Sequence, residues 1–334
     1  MDLDRYISEH QPMWLRLEDL SARSRKGARK LSAAELSEMI ELYQRTSAHL
    51  AHVRTRYDDV GLNARLSFIV GSAQGSIYRH RSNPVTAIRS FFTTTFPAAV
   101  WHARRQIAVA AFLLFAPAIA MGIWLSVGNH ARDALVPPAT QRVLAEHDFA
   151  TYYRSEAAAA FQTHVTTNNI QVSFLAFVSG ILLGVPTAFL LLENGANVGV
   201  DAAVMHAHGQ GAQFWGLITP HGLLELTSIC IASGAGLCLA WAIIAPGDMT
   251  RAKALAHAGQ RAVVLVVGVM LTFAVAGFIE AWVTPSDLPT WTRVGIGVVV
   301  EAIFLLYAFG LGRRAAHSGM TGLFGEVPTD DPST

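Results

Sequence analysis

Apolar residues are spaced at helical intervals over the first hundred positions and merge into long unbroken runs beyond them, a pattern that predicts helices throughout. Tyr6, Ile7, Trp14, Leu15, Leu17 and Leu20 are the apolar points of a short first segment, followed by a solvated basic run, ARSRKGARK. Ser32 and Glu35 have capping-box spacing: the hydroxyl accepts from an early backbone N–H while the carboxylate reaches back. Ile40, Leu42, Tyr43, Leu50 and Val53 then mark one long amphipathic helix up to Tyr57. A second helix runs from about Leu62 to Arg79 with Leu66, Val70 and Ile77 on its stripe, and Asn83-Pro84 breaks it, since the residue before proline disfavours the α region. From Val85 to Arg105 the points are Phe91, Phe92, Phe96, Val100 and Trp101, ending at Arg104 and Arg105. That stretch fits a helix lying on a membrane surface equally well as one packed on the preceding helices.

No residue from 106 to 131 is formally charged, and Ile107 to Val127 supplies the roughly 20 apolar positions of a bilayer crossing. Residues 128 to 169 form a polar excursion with a short helix of its own. Ile170 to Leu192 is expected to be the second crossing, with Gly180 and Gly184 as a GxxxG helix-packing pair and Pro186 as a kink. His221 to Ile244, Arg261 to Val283 and Trp291 to Leu311 make three more. Between the second and third long runs, Glu193 to Pro220 is punctuated by Gly195, Gly199, Gly209, Gly211 and Gly216 and contains His206, His208 and Gln213. It is too polar for an ordinary span and too apolar for an ordinary loop.

Composition turns this pattern into a class. The 334 residues are 52% hydrophobic and 15% charged, against about 25% charged in a globular chain, so the apolar excess must face lipid. Residues 1 to 106 hold 16 of the 25 Lys+Arg and 10 of the 24 Asp+Glu, which makes a basic head on an acid-leaning body. The opening MDLDRYISEHQPMWLRLEDL has no apolar core of the kind a cleavable signal peptide needs, so the head is expected to stay in the cytoplasm. The expected fold is therefore all-α, a polytopic helical membrane protein of the cytoplasmic membrane. Its domains are a cytoplasmic helical head with interfacial helix at 1–105, a transmembrane domain at 106–314 with five long helices and a short broken segment at 193–220, and a polar tail at 315–334. Flanking Lys and Arg are retained on the cytoplasmic side. Five crossings would export both the Arg251, Lys253, Arg261 cluster and the Arg313-Arg314 pair. Six traversals, the third being the broken segment, return both inside and are preferred to five crossings with a re-entrant loop.

Candidate chemistry is sparse. Cys230 and Cys238 are roughly 12 Å apart on a helix, too far for a disulfide. Phosphate loops, GxSxG, HExxH and CxxC are all missing, and the basic residues are not interleaved with aromatics as in nucleic-acid binders. Thr219-Pro220 resembles a helix start, which would put His221 and Glu225 on one face, within reach of each other. Such a pair could be a proton relay, two metal ligands or an internal strut, and the strut is preferred because buried polar pairs in lipid are often structural. His206 and His208 are weak metal candidates beside His221, as residues two apart on a helix diverge. Glu280 fits an exit interface with Trp282 as anchor, whereas Glu301, mid-way through the last crossing, should face another helix or a cavity. Glu193-Asn194-Gly195 reads as the stop of the second crossing, with Gly195 left-handed.

The blocks NNIQVSFLAFVSGILLGVPTAFLLLENGANVG (168–199) and PHGLLELTSICIASGAGL (220–237), with YISEHQPMWLRLEDL, ELYQRTSAHLAHVRTRY and LNARLSFIVGSAQGSIYRH in the head, resemble the stage II sporulation protein M family; Tyr6 stands where phenylalanine is usual. The resemblance implies an all-helical membrane protein without catalytic activity or cofactor, acting as an anchor or scaffold for partners that remodel peptidoglycan in the cell envelope. It further implies neighbours of three kinds: a peptidoglycan hydrolase, a MoxR-type AAA+ ATPase and an RDD-domain membrane protein, with homo-oligomers also open. By match to the family blocks, Asn194, Gly195, Gly199, Pro220, His221, Gly222 and Glu225 are the positions that matter. The alternative is a small-solute or ion transporter using His221, Glu225, Glu301 and Glu193 as a polar membrane-embedded cluster, since broken helices facing polar groups are a transporter habit.

Overall fold

The computed structural model describes residues 3–25, 31–57, 59–77, 84–145 and 156–326. Most of the basic run, Asn83 of the expected break, part of the polar excursion and the tail beyond 326 lie outside the described residues. Contacts divide the chain into two compact units, at 1–87 and 88–334.

The first unit packs α1 (Leu3–Arg25), α2 (Ala33–Arg56) and α3 (Val60–Ile77) around Tyr6, Trp14, Leu17, Leu20, Met39, Leu50, Val53, Leu66 and Ile69. The expected short first segment is a full helix of 23 residues. Met39, not Ile40, carries the first turn of the α2 stripe inward, and Ile40 is exposed. The capping box forms: Ser32 Oγ accepts from Glu35 N and Glu35 Oε2 from Ser32 N. The Ser32 backbone N–H, with the Arg23 guanidinium and the Ser32 hydroxyl, holds the Glu35 carboxyl down at about 2. Bidentate Arg16–Glu38 bonds of 2.9 and 2.8 Å tie α1 to α2.

Rings gather where Tyr6, His10 and Trp14 of α1 meet His49 and His52 of α2, with His10 and His49 centroids 4.3 Å apart. His49 Nδ1 accepts from Trp14 Nε1 at 3.2 Å, which requires an unprotonated nitrogen. Burial first, then the nearby His10, Arg45 and His52, pushes the His49 imidazole below its ordinary 6.5. A base whose folded value is depressed contributes its full stability above the unfolded value and loses it as pH falls through 6.5 toward the folded one. Amide exchange of α1 and α2 in the full chain, corrected for intrinsic rate, should therefore show protection falling from about pH 7 to about pH 5. His49→Gln should flatten that slope; an unchanged slope would remove His49 from the account.

The second unit is a bundle. The helix Pro84–Ser90 (α4) passes through a π-helical turn at Phe91–Thr95 into α5 (Phe96–Val127). Two short helices, α6 (Asn129–Leu135) and α7 (Pro138–Val143), follow. Then come α8 (Glu156–Ser179), α9 (Val185–Ala207), α10 (Gly211–Ile244), α11 (Arg251–Trp282) and α12 (Thr290–Leu305), and a second π-helical turn, Leu306–Leu311, leads into α13 (Gly312–His317). A π turn frees a carbonyl from the ladder; the Phe92 carbonyl, in the first such turn, accepts from Tyr307 Oη, in the second, at 2.6 Å. The described residues are helical with no strands, and four stretches are long and apolar enough to cross a membrane: Val85–Val127, Gly211–Ile244, Arg251–Trp282 and Thr290–His317. The all-α polytopic fold is thus the observed one.

The expected second crossing, Ile170 to Leu192, is not one helix. Positions eleven apart on a helix are ~16 Å apart, yet Thr187 Oγ1 donates to the Ala176 carbonyl at 2.7 Å, so the chain folds back between them. Residues 180–184 make the turn, with Leu183 at φ 59° and Gly184 at φ 74°. The anticipated GxxxG pair is therefore a turn: Gly184 supplies the left-handed residue and Gly180 the close approach, its missing Cβ leaving room for the Gly236 carbonyl of α10. The broken segment at 193–220 is corrected too. Gly195 and Gly199 lie inside α9 and are the working GxxxG pair, seated on Leu114 and on Ala118 and Gly122 of α5. The break falls instead at 208–210, and Pro220 sits inside α10 rather than at its start. Its missing N–H costs one ladder bond, and α12 packs there, with Gly297 against the Thr219 and Pro220 carbonyls.

Pairings give each helix its direction. Glu225 meets Asn169, and Gly236 meets Gly180, so α8 runs parallel to α10. Ser228 meets Thr272 and His221 meets Thr284, so α11 runs antiparallel. Gly216 and Thr227 meet Thr290 and Glu301, so α12 runs parallel. Among the described residues the membrane unit thus contains six long helices of alternating direction, α5 and α8 to α12, the hairpin α8–α9 taking the place of one crossing and a broken segment. The polar tail also differs from expectation over 315–326. Ala315 and Met320 bury against Ala98, the Met320 carbonyl bonds His102 at 3.0 Å, and Arg261 donates to the Thr321 carbonyl at 2.9 Å. Likewise residues 96–105, assigned above to the head, pack within the membrane unit, because Phe96, Val100 and Ala103 belong to its core.

Candidate functional site

The polar groups of the membrane unit collect along α10. Its His221, Glu225 and Ser228 are three or four apart and share a face, which is turned to α8 and α11. His221 is 3% exposed and its Nδ1 lies 3.2 Å from Thr284 Oγ1. Glu225 is 2% exposed, and its Oε2 accepts from Asn169 Nδ2 at 2.6 Å. Its Oε1 is buried without a hydrogen-bond partner among the described residues, so His221 and Glu225 do not bond each other. Glu280 is buried on α11 within electrostatic range of Glu225. One turn further, Ser228 Oγ pairs with Thr272 Oγ1 at 2.6 Å. Each of these contacts joins α10 to another helix or to the turn that follows α11. In hydrocarbon an unsatisfied polar group is expensive, so such bonds fix which helices associate and in what register.

The cluster inferred from sequence is only half assembled. Glu301 accepts from Thr227 Oγ1 at 2.6 Å, and Thr227 stands two residues from Glu225, hence on the opposite side of α10. Glu193 is exposed on α9, and Asn194 bonds back to the Leu190 carbonyl at 2.7 Å. Pro220 and Gly222 are buried helix positions beside His221. The metal candidates part as well. His206 Nε2 accepts from Trp215 Nε1, His208 Nδ1 lies 2.9 Å from the Val204 carbonyl, and both are exposed while His221 is buried. No group of three ligands forms among the described residues.

Sequence reasoning missed Asn169 and Thr284 and placed Glu280 at an interface. Asn169 lies 56 positions from its partner, and the reversals at 180–184 and 208–210 together bring it alongside Glu225. Glu280 could have been read as buried, since nothing charged lies between Arg261 and it. A cavity of about 310 Å³ between α5, α11 and α12 is lined by Phe96, Leu224, Leu271, Val300, Phe304 and Tyr307 and suits hydrocarbon rather than a hydrated solute.

Comparison with known proteins divides the chain the same way. Residues 4–79 match a domain of unknown function, DUF8413. An uncharacterized protein of Methanocaldococcus jannaschii, MJ0793, is 28% identical over 124 residues, which cover 36% of this chain and 70% of that protein. No solved structure matches. Residues 111–285, from α5 to the loop after α11, match stage II sporulation protein M. These residues include the α8–α9 hairpin, the glycines that seat it and every buried contact of His221 and Glu225, and the chain belongs to the stage II sporulation protein M family.

Proposed function

We propose that this protein is a membrane scaffold, holding partner proteins of the cell envelope at the cytoplasmic membrane with its basic first unit in the cytoplasm. One observation carries the reading: two carboxylates of the membrane unit, Glu225 on α10 and Glu301 on α12, are engaged in helix-to-helix ties, Asn169–Glu225 and Thr227–Glu301, which brace a bundle. The orientation is supported by Arg104, Arg105, Arg251, Lys253, Arg313 and Arg314, which belong to the end of the bundle where α5 begins and α10 and α12 finish. The separate three-helix unit supplies a second surface for docking. Partners of the kinds the family resemblance implies, a MoxR-type ATPase, an RDD-domain membrane protein or a peptidoglycan hydrolase, suit such a body, and no catalytic group is assigned to it.

A second reading, transport of an ion or small solute, is favoured by one feature, the nearness of the buried Glu225 and Glu280. It loses Glu301 and Glu193 from the site first considered. Gentle solubilisation of the full chain should yield stoichiometric partners. Purification alone, with liposome flux abolished by Glu225→Gln, would overturn the scaffold in favour of transport.

A further inference from the structure

Glu193, Asn197 and Asp201 follow one another four apart on α9, so they form one stripe. Glu193 and Asn197 are exposed and Asp201 partly so, and no hydrogen bond or ion pair joins the three to any described residue. Their depth follows from the helix beside them. Gly195 and Gly199, on the neighbouring face, press against Leu114 and against Ala118 and Gly122 of α5. Those positions are the middle of the 106–131 stretch that carries no charge. The stripe therefore crosses the centre of the hydrocarbon, with Glu193 about one turn from it, at depths where ionisable residues almost always face protein or water rather than lipid. Phe189, one turn before Glu193, is 65% exposed, an ordinary lipid-facing residue on the same side.

What covers the stripe is set by its charge. A second copy meeting it about a two-fold axis would present the same patch, carboxylate against carboxylate. Like charges set against each other suppress such a pairing, and opposite ones select a partner. We propose that this face of α9 docks a transmembrane helix of another membrane protein, one that carries a lysine or arginine at mid-bilayer depth opposite Glu193. Asn197 adds an amide able to donate and accept across the interface. The inference rests on the scaffold reading and gives one partner its chemistry.

The test places the full chain, dye-labelled, in nanodiscs with acceptor-labelled polyleucine helices of about 20 residues carrying lysine or leucine at the centre. Energy transfer should favour the lysine peptide by roughly threefold to fifteenfold, the range of polar helix–helix couplings in bilayers. The preference should vanish in Glu193→Leu/Asn197→Leu and survive in Phe278→Leu, on another exposed face. Equal transfer from both peptides to the unaltered chain, which needs no variant to fold, overturns the proposal. So does self-crosslinking of Phe189→Cys, one turn before Glu193 and with the stripe intact, in place of peptide binding, which would make a second copy the occupant. A chain that docks partners through its first unit alone would co-purify with them and still show no lysine preference, so the two readings fail separately.

Discussion

Gly195→Val is expected to be the most damaging single substitution in the membrane unit. A Cβ built on Gly195 overlaps the Leu114 carbonyl oxygen and reaches 3.0 Å from the Pro117 ring. The obstacle is backbone inside a 32-residue helix, so no rotamer change relieves it. Overpacking of a well-packed core costs ~1–3 kcal/mol when side chains can yield, and here the loss should reach or pass the top of that range. Native domains hold a margin of only ~5–15 kcal/mol. The α5–α9 contact would open, and with it the site where Gly199 meets Ala118 and Gly122. The yield of monodisperse protein and its thermal midpoint should both fall sharply. Gly195→Ala should fall less, and Gly295→Ala, whose Cβ meets nothing within 4 Å, should match the unaltered chain. Equal midpoints for Gly195→Val and Gly295→Ala would mean that α5 and α9 do not pack through these glycines.

The same glycines show where sequence stops being legible. The runs that become α10, α11 and α12 announce themselves because each is long and nearly free of charge, which in lipid leaves a helix as the only outcome. The reversal at 180–184 gives no such sign. SFLAFVSGILLGVPTAFLLL is uncharged throughout, and two glycines four apart read equally as a packing motif or as a turn. The Gly236 carbonyl and the Thr187–Ala176 bond, both distant in sequence, decide it. Glu193-Asn194-Gly195 misleads in the opposite way. Locally it is a helix stop, and it continues as helix because Gly195 is needed at a close approach to α5. Of the polar cluster, the pairing of His221 with Glu225 on one face was readable from their spacing, and the partners were not. Thr227, on the other side of α10, is one ordinary threonine in an apolar run, and nothing in the sequence joins it to Glu301.

Asn169→Leu should destabilise the bundle strongly, and Glu225→Leu should rescue most of the loss. With Asn169 gone, both oxygens of a carboxyl that is 2% exposed are left without a donor. Leaving one buried polar group unsatisfied costs ~1–3 kcal/mol, and more if it is charged. Removing both partners leaves nothing to satisfy, so Asn169→Leu/Glu225→Leu should lie well above the sum of the single changes. Couplings of this kind run to about 0.5–3 kcal/mol, and thermal midpoints of the four chains in one detergent measure it. Glu225→Gln separates the two roles open to this residue. A glutamine keeps an oxygen to accept from Asn169, so a brace should survive it with little change in midpoint. A group that must carry charge or a proton would be lost while the protein stayed folded. Stability insensitive to Glu225→Gln but coupled between positions 169 and 225 is the signature of a strut, whereas a coupling near zero would leave Glu225 without a structural reason to be buried.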